Sequence, residues 1–177
     1  MDLRIKRTRQ SIINAFVELR KSKPLEKITV TELANLALIN KATFYSHYQD
    51  IYDLSEQLED EIIDNVITKI SHPEALIINP KQTGYEMYTS LTQNAEYINA
   101  IFSGSRTANL LAKLEEKLKK QIYFVYPEYK NNLEWSILLS ILIQGGFYAF
   151  LSHSGKYDND DIIRYIGEIN ERILFKK

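Results

Sequence analysis

The sequence predicts an all-α protein with a small N-terminal domain of three helices, residues 1–49, and a larger C-terminal helical bundle, residues 50–177. Apolar side chains recur at helical spacing along most of the 177 residues, and no stretch alternates apolar and polar residues as a strand does. Helix-capping residues also stand in front of several of the apolar stripes. A helix over residues 50–71 is expected to link the two domains.

The first helix is expected to run from about Arg4 to Lys21. It ends at Ser22-Lys23-Pro24, because proline cannot continue a helix. Its predicted buried stripe consists of Ile12, Ile13, Phe16, Val17 and Leu19.

Two short helices joined by a tight turn are predicted next. Thr29 and Glu32 form the S/T-x-x-E pattern of a capping box, and Asn40 is a good N-cap for the second helix. Between them, Leu38-Ile39 forms the turn. The apolar stripe of the first of these helices is predicted to be Leu33, Leu36 and Ala37.

The second short helix is predicted to have one buried face and one exposed face. Phe44 and Tyr48, four residues apart, share the face that can pack on the preceding helix. The exposed residues are chemically suited to the major groove of DNA. Lys41 can reach a guanine edge or a phosphate, and Ala42 and the Thr43 methyl group can touch a thymine methyl. Tyr45 and His47 can donate hydrogen bonds to phosphate oxygens.

Two short helices with a recognition face on the second describe a helix-turn-helix, which reads DNA best in pairs. The predicted double-stranded DNA-binding residues are Thr29, Thr31, Asn40, Lys41, Ala42, Thr43, Tyr45, His47 and Tyr48.

These residues carry a family resemblance. The segment KATFYSHYQDIYDL, preceded by ITVTELANLALIN, resembles the DNA-binding domain of TetR/AcrR-family transcriptional regulators. The specific core is T-x-Y-x-H-Y, from Thr43 to Tyr48, and the similarity covers roughly residues 5–70. At two positions the chain departs from the family pattern. Leu38 stands where the family usually has glycine, so the turn is expected to be strained or differently shaped. Ile51 stands where a lysine commonly contacts phosphate.

Charge is divided unevenly along the chain. Residues 1–50 contain nine Lys and Arg against five acidic residues, whereas the remainder contains thirteen basic and eighteen acidic residues. The net charge of −1 argues against a general nucleic-acid binder. A basic N-terminal part on an acidic body instead confines the attraction for phosphate to one end.

Several function classes find no support in the sequence. There is no cysteine, which excludes disulfides and thiolate metal sites, and the three histidines are separated, so no metal or cofactor is expected. No nucleophile motif or glycine-rich phosphate loop indicates an enzyme. The N-terminus has no apolar signal segment, and the apolar run Trp135 to Leu151 is interrupted by polar residues and glycines. We therefore expect a cytoplasmic protein with no membrane partner.

The C-terminal part is expected to be a bundle. Asp50 caps the linking helix and Asp53 completes its capping box. The apolar stripe of this helix is Leu54, Leu58, Ile62, Val66 and Ile70. Residues 74–81 are predicted to form a loop, followed by helices at roughly 82–103, 105–126, 129–152 and 159–174, with breaks at Pro127, Gly155 and residues 158–160.

The last two long helices are the predicted homodimer surface, because small residues permit close approach and the final helix is apolar on more than one face. The alternative is that these residues fill the centre of the monomer. A two-fold dimer predicts a palindromic operator, and the resemblance implies the same dimerisation mode. The predicted interface residues are Leu138, Leu142, Gly145, Gly146, Ala149, Ile162, Ile166, Ile169 and Ile173.

The sequence leaves three interpretations of the C-terminal and DNA-binding domains open. The resemblance implies a small hydrophobic effector, most simply one that controls a repressor, in a cavity between the C-terminal helices. An apolar aromatic pocket fits that picture, although aromatic residues at helical spacing are usually ordinary core. Alternatively, the C-terminal domain binds a coregulator protein, or Leu38 and Ile51 mark a domain that has lost specific binding. The predicted pocket residues are Tyr88, Phe102, Tyr123, Trp135 and Phe147.

Overall fold

The computed structural model describes residues 3–175, except for the side chain of Ser105. The protein is all-helical, with 81% of its residues in helices and no strand in the described part of the chain. One isolated bridge joins Ser154 and Tyr157. The predicted all-α class is confirmed.

The chain forms two compact units, and the first of them is discontinuous in sequence. It contains the described residues up to Ile62 together with Ala95–Thr107. The second contains Ile63–Asn94 and the described residues from Ala108 onwards. This division falls inside a helix, whereas the boundary expected from the sequence lay at residues 49/50.

The first unit is built around α1 and two short helices. Its elements are α1 (Leu3–Ser22), a 3-10 turn (Leu25–Lys27), α2 (Val30–Leu36), α3 (Lys41–Tyr45), the first part of α4 (Ile51–Thr68), α6 (Ala95–Ile101) and a second 3-10 turn (Gly104–Arg106). The stripe predicted for α1 is buried as expected. In α2 the prediction is partly wrong, because Leu36 is exposed while Leu33, Ala34 and Ala37 are buried.

The second unit is a helical bundle. Its elements are the remainder of α4, a 3-10 turn (Pro73–Ile77), α5 (Pro80–Gln93), α7 (Thr107–Val125), a 3-10 turn (Pro127–Tyr129), α8 (Leu133–Ser140), a π-helical turn (Ile141–Gly145), α9 (Gly146–His153) and α10 (Asn159–Leu174). Along α7, a stripe of four residues at spacings of four is buried, namely Leu110, Leu114, Leu118 and Ile122. Their spacing follows the helical period, which is why this helix buries a single face.

Two of the expected elements differ in the structure. The predicted loop at 74–81 contains a 3-10 turn that buries Leu76 and Ile77. The predicted helix at 82–103 is divided into α5 and α6 at Asn94, whose side-chain amide donates to the carbonyl of Ser90 at 2.7 Å. Asparagine favours such local bonds to the backbone, so it ends the helix that its apolar neighbours would otherwise extend.

Two glycines allow close contacts in the second unit. A Cβ atom on Gly146 would lie 2.6 Å from the Tyr88 hydroxyl and 3.2 Å from Ile166 Cγ2. One on Gly167 would lie 3.1 Å from the Cα atom of Lys81. Side chains are therefore excluded at both positions by packing, since protein interiors have no spare volume.

The segment Leu133–His153 forms one continuous helix that includes the π-helical turn. By length and composition it could cross a membrane, with a mean hydropathy of 1.5 in its most apolar window. The polar residues and glycines that interrupt this segment in the sequence predict that it does not span a membrane. Core helices of globular proteins pass the same test but are mostly buried, whereas a third of this window is buried inside the protein.

Candidate nucleic-acid interface

Local hydrogen bonds determine where α2 and α3 begin. The backbone N–H of Glu32 donates to Thr29 Oγ1 at 3.2 Å, which caps α2. The backbone N–H of Thr43 donates to Asn40 Oδ1 at 2.7 Å, which caps α3. Both predicted caps are therefore confirmed. The Glu32 carboxylate does not complete the expected capping box, because it pairs with Lys23.

The turn between α2 and α3 contains a strained residue. Leu38 has φ of +55°, and it is the only residue other than glycine with a positive φ in residues 3–175. Its side chain is 93% exposed. The left-handed region costs an L-residue roughly 1–2 kcal/mol. Leu38 therefore adopts, at an energetic cost, a conformation that glycine adopts freely.

The outward side of α3 presents a small set of polar and aromatic groups. Lys41, Ala42 and Tyr45 are exposed, while Thr43 and His47 are half-buried. The Thr43 hydroxyl is 2.9 Å from Asn40 Oδ1 and donates to it, so this side chain is oriented by the helix cap. Of the other predicted DNA-binding residues, Thr29, Thr31 and Asn40 are all exposed.

Tyr48 was predicted to bind DNA, and the structure corrects this assignment. It is only 3% exposed and packs against Phe44, with the ring centroids 5.7 Å apart. Burial raises the pKa of its hydroxyl, and the positive charge of Arg9 opposes that rise. Tyr48 therefore belongs to the core that supports α3, because the end of α3 turns its ring inward.

The start of α4 follows the predicted pattern with one change. Asp53 N–H donates to Asp50 Oδ1 at 2.8 Å, so Asp50 caps the helix as expected. The carboxylate of Asp53 in turn accepts from the backbone N–H of Gln49 at 2.7 Å. Ile51 is buried. At this position the chain thus has a core residue and no side chain available for a phosphate.

Charged contacts fix the helices of the first unit to one another. Arg106 Nε and Nη2 donate to the two carboxylate oxygens of Glu59, each at 2.6 Å, and Glu59 is fully buried. Nearer the N-terminus, Arg9 of α1 pairs with Glu61 of α4. Such bidentate and buried pairs have a defined geometry, so they orient the helices that present α3.

Arg20 of α1 is a buried cation that sequence reasoning missed. It is 4% exposed, and its guanidinium donates to the carbonyls of Lys23, Ile101 and Ser103 and to the hydroxyl of Ser103, at 2.7–3.3 Å. One feature of the sequence indicates that Arg20 is buried. It follows Leu19 and lies four residues after Phe16, so it falls on the buried side of the helix.

The predicted dimer residues divide into two groups. Leu142, Gly146, Ile162 and Ile166 are buried inside the second unit, which corrects their assignment to an intermolecular surface. They are covered because α10 packs on α5 and α9 of the same chain. Gly145, Ile169 and Ile173 are exposed, and Leu138 and Ala149 are half-buried.

A pair of clefts borders these accessible residues. One, of about 700 Å³, is lined by Trp135, Leu138, Ile169 and Ile173 among others. The other, of about 390 Å³, is lined by Ala149, Tyr165 and Ile169 among others. Ile169 lines both clefts, and we call the two clefts together the α10 groove.

The five predicted pocket aromatics do not surround one cavity. Tyr88 and Phe147 are buried in the second unit, where Tyr88 stacks on Phe150 with 4.9 Å between centroids. Phe102 is buried in the first unit. Tyr123 and Trp135 are half-buried, and Trp135 lines the α10 groove. Tyr88, Phe102 and Phe147 are thus ordinary core residues, which corrects their assignment to a pocket.

A partly buried polar cluster lies between α7 and α8. Glu115 accepts hydrogen bonds from Ser140, at 2.6 Å, and from Gln144, and it pairs with Lys119 at 2.6 Å. Burial alone would raise the pKa of Glu115, but these partners outweigh it and lower the pKa. Among residues 3–175 no group of three or more His, Asp or Glu side chains could hold a metal ion.

No protein-family model matches this chain. Neither the curated proteins nor the solved structures contain a significant match to it. The assignment of a function therefore depends on the geometry of the candidate interface.

Proposed function

We propose that this protein is a cytoplasmic, homodimeric DNA-binding regulator of transcription, most simply a repressor, and that α2 and α3 form its helix-turn-helix. In this proposal α3 enters the major groove of a palindromic operator. Lys41 contacts a guanine edge or a phosphate, and Ala42 contacts a thymine methyl group. Tyr45 and His47 donate to phosphate oxygens and fix the register.

The observation that carries the proposal is the two-sidedness of α3. Phe44 is fully buried and, with Tyr48, attaches the helix to its unit, whereas Lys41, Ala42 and Tyr45 face solvent. A five-residue helix that buries one aromatic face leaves its other face free for a ligand. The TetR/AcrR resemblance over residues 5–70 supports the same interpretation.

The α10 groove supports the proposed homodimer. Ile169, Ile173 and the neighbouring Tyr165 are exposed large apolar side chains along one helix. Contiguous apolar patches of this kind mark interaction surfaces in soluble proteins. A second copy of the chain would supply the second α3 helix that a two-fold helix-turn-helix regulator uses.

Two forms of control fit the proposed regulator. A small hydrophobic effector would have to use a site other than the five-aromatic pocket, such as the α10 groove. The alternative is a coregulator protein that binds the C-terminal bundle. Exposed apolar residues such as Phe124 and Tyr148 favour the alternative, because they are available to a macromolecular partner.

The direct test is fluorescence anisotropy with the DNA that flanks the protein's own gene, at one fixed salt concentration. Lys41→Ala is expected to weaken binding about tenfold or more, because a base or phosphate contact is worth about 1–3 kcal/mol. Tyr45→Phe removes only the hydroxyl and retains the ring, which packs edge-on against Phe44 with 5.6 Å between centroids. Its effect should be several-fold.

Lys130→Ala is the matched control, because Lys130 is a surface lysine of the second unit. It should leave the dissociation constant nearly unchanged. Wild-type protein that binds the flanking DNA no better than random DNA would refute specific recognition of that site. A steep salt dependence would not rescue the proposal, because non-specific binding shows it too.

Dimerisation and control have separate readouts. Ile169→Glu should convert a dimer to a monomer in sedimentation velocity, since it places a charge in the α10 groove. Thermal melting against hydrophobic small molecules should show saturable stabilisation by a true effector. No stabilisation by any compound, together with co-purification of one defined protein, would favour the coregulator.

A further inference from the structure

A cleft in the first unit is unrelated to the outward side of α3. It has a volume of about 580 Å³ and lies between the C-terminal end of α1 and the segment that contains α6 and the following 3-10 turn. This size is within the range of small-molecule sites. Its polar lining residues are Arg20, Lys21, Ser22, Lys23, Glu96, Asn99 and Ser103.

The floor of this cleft contains the buried guanidinium of Arg20. Every acceptor of that guanidinium is a neutral oxygen, three carbonyls and one hydroxyl, and no carboxylate in residues 3–175 pairs with it. Within the described part of the chain Nε has no hydrogen-bond partner, and Nη1 donates to the Lys23 carbonyl alone. Burial lowers the pKa of Arg20, and the negative charges of Glu26 and Glu59 oppose that fall.

The lysines at the rim add positive charge that an incoming anion can use. Lys21 pairs with Glu18 and Glu96, and Lys23 pairs with Glu32. Glu18 and Glu96 are exposed, so these surface pairs are worth only about 0–1 kcal/mol and exchange at low cost. The lining therefore offers three cations against one carboxylate.

We propose that this cleft binds a small molecule that carries a phosphate group. The Arg20 guanidinium supplies a fixed positive charge in the lining, and Lys21 and Lys23 supply mobile point charges beside it. The side-chain amide of Asn99 can donate to a phosphate oxygen. Arg20 is fixed by its carbonyl contacts before the ligand arrives, so little side-chain freedom is lost on binding.

The test is isothermal titration of the full chain with pyrophosphate and with inorganic phosphate, at an ionic strength held constant with sodium chloride. We expect saturable binding and a matching rise in Tm. Lys21→Ala combined with Lys23→Ala should weaken the dissociation constant at least tenfold. Lys27→Ala is the matched control, since it removes an exposed cation of the same unit that does not line the cleft.

Arg20→Lys should also weaken binding, and the lysine double variant keeps the test valid if this substitution prevents folding. Absence of saturable binding to both probes would overturn the proposal. So would equal weakening by the double variant and by Lys27→Ala. Displacement of pyrophosphate by random-sequence DNA would assign the cleft to the DNA backbone and overturn a small-molecule site. None of these outcomes depends on whether a specific operator exists.

Discussion

In the first compact unit, buried charged side chains join the helices, whereas in the second unit two glycines allow close contacts. Arg20 and the Arg106–Glu59 pair are buried or partly buried and directional. Gly146 and Gly167 instead let a tyrosine and a neighbouring backbone approach to distances that no side chain would permit. The first arrangement defines orientation and the second maximises packing.

The contrast fits the proposed roles of the units. A unit that presents α3 to DNA needs a fixed geometry more than it needs the greatest stability. Buried ion pairs provide geometry, and replacing one with apolar residues is often neutral or stabilising. Close packing gives a bundle its stability but tolerates few changes in volume. Substitutions in each unit test this contrast, and the largest effect is expected at the buried ion pair.

Arg106→Ala should lower the free energy of unfolding by about 3 kcal/mol. The substitution removes the bidentate partner of Glu59, a fully buried carboxylate that retains the Ser55 hydroxyl at 3.2 Å. Urea denaturation measures the change. Arg172→Ala, at an exposed arginine of the second unit, should change stability by less than about 0.5 kcal/mol. Equal effects of the two variants would contradict an orienting role for the buried pair.

Gly146→Ala should destabilise the protein by about 2 kcal/mol, because the new methyl group would meet the Tyr88 hydroxyl at 2.6 Å. The adjacent Gly145→Ala is a closely matched control, since a Cβ atom there meets nothing within 4 Å. It should stabilise the helix by roughly 0.5–1 kcal/mol. Thermal melting compares the two directly, and the same sign for both would show that the close contact is unimportant.

Raising the pH above about 10 should destabilise the folded state through Tyr88. Burial raises the pKa of Tyr88 above its ordinary value, so above about pH 10 the unfolded chain loses this proton while the folded chain keeps it. The contribution of Tyr88 to the free energy of unfolding is complete below about pH 10. Above that pH it declines by about 1.4 kcal/mol per pH unit. Tyr88→Phe should flatten the pH dependence of urea denaturation, whereas Tyr148→Phe, at an exposed tyrosine, should not.

Leu38→Gly should stabilise the protein by about 1 kcal/mol, because glycine adopts a positive φ without steric cost. The exposed leucine side chain has little packing to lose. Leu38→Ala, which keeps the strained Cβ atom, should change stability very little. If both variants behave alike in chemical denaturation, the turn is not strained at this residue.

Local chemistry explains which parts of the fold could be predicted. The caps at Thr29, Asn40 and Asp50 use hydrogen bonds between residues at most three apart, and all three are present. The stripe of α1 is set by the period of the helix alone. The strain at Leu38 followed from a residue type at odds with the expected turn.

The other features of the fold could not be predicted, because they depend on tertiary contacts that a sequence pattern does not reveal. The burial of Arg20 requires acceptors at Ile101 and Ser103, more than eighty residues away. Tyr48 was assigned to both faces of α3, and only the path of the chain after Tyr45 decides between them. In the same way, the aromatic residues of the bundle gave no sign of whether they fill a core or line a pocket.

The discontinuity of the first unit affects how the chain folds. Arg20 receives most of its acceptors, and Glu59 its guanidinium partner, from residues 101–106. During synthesis the N-terminal part of this unit, up to Ile62, therefore emerges without the segment that completes it. Closing so long a loop is entropically costly, which delays the last contacts of the unit. A fragment that ends after α4 would leave Arg20 in a half-built cavity, so recombinant fragments for DNA-binding work should extend through Thr107.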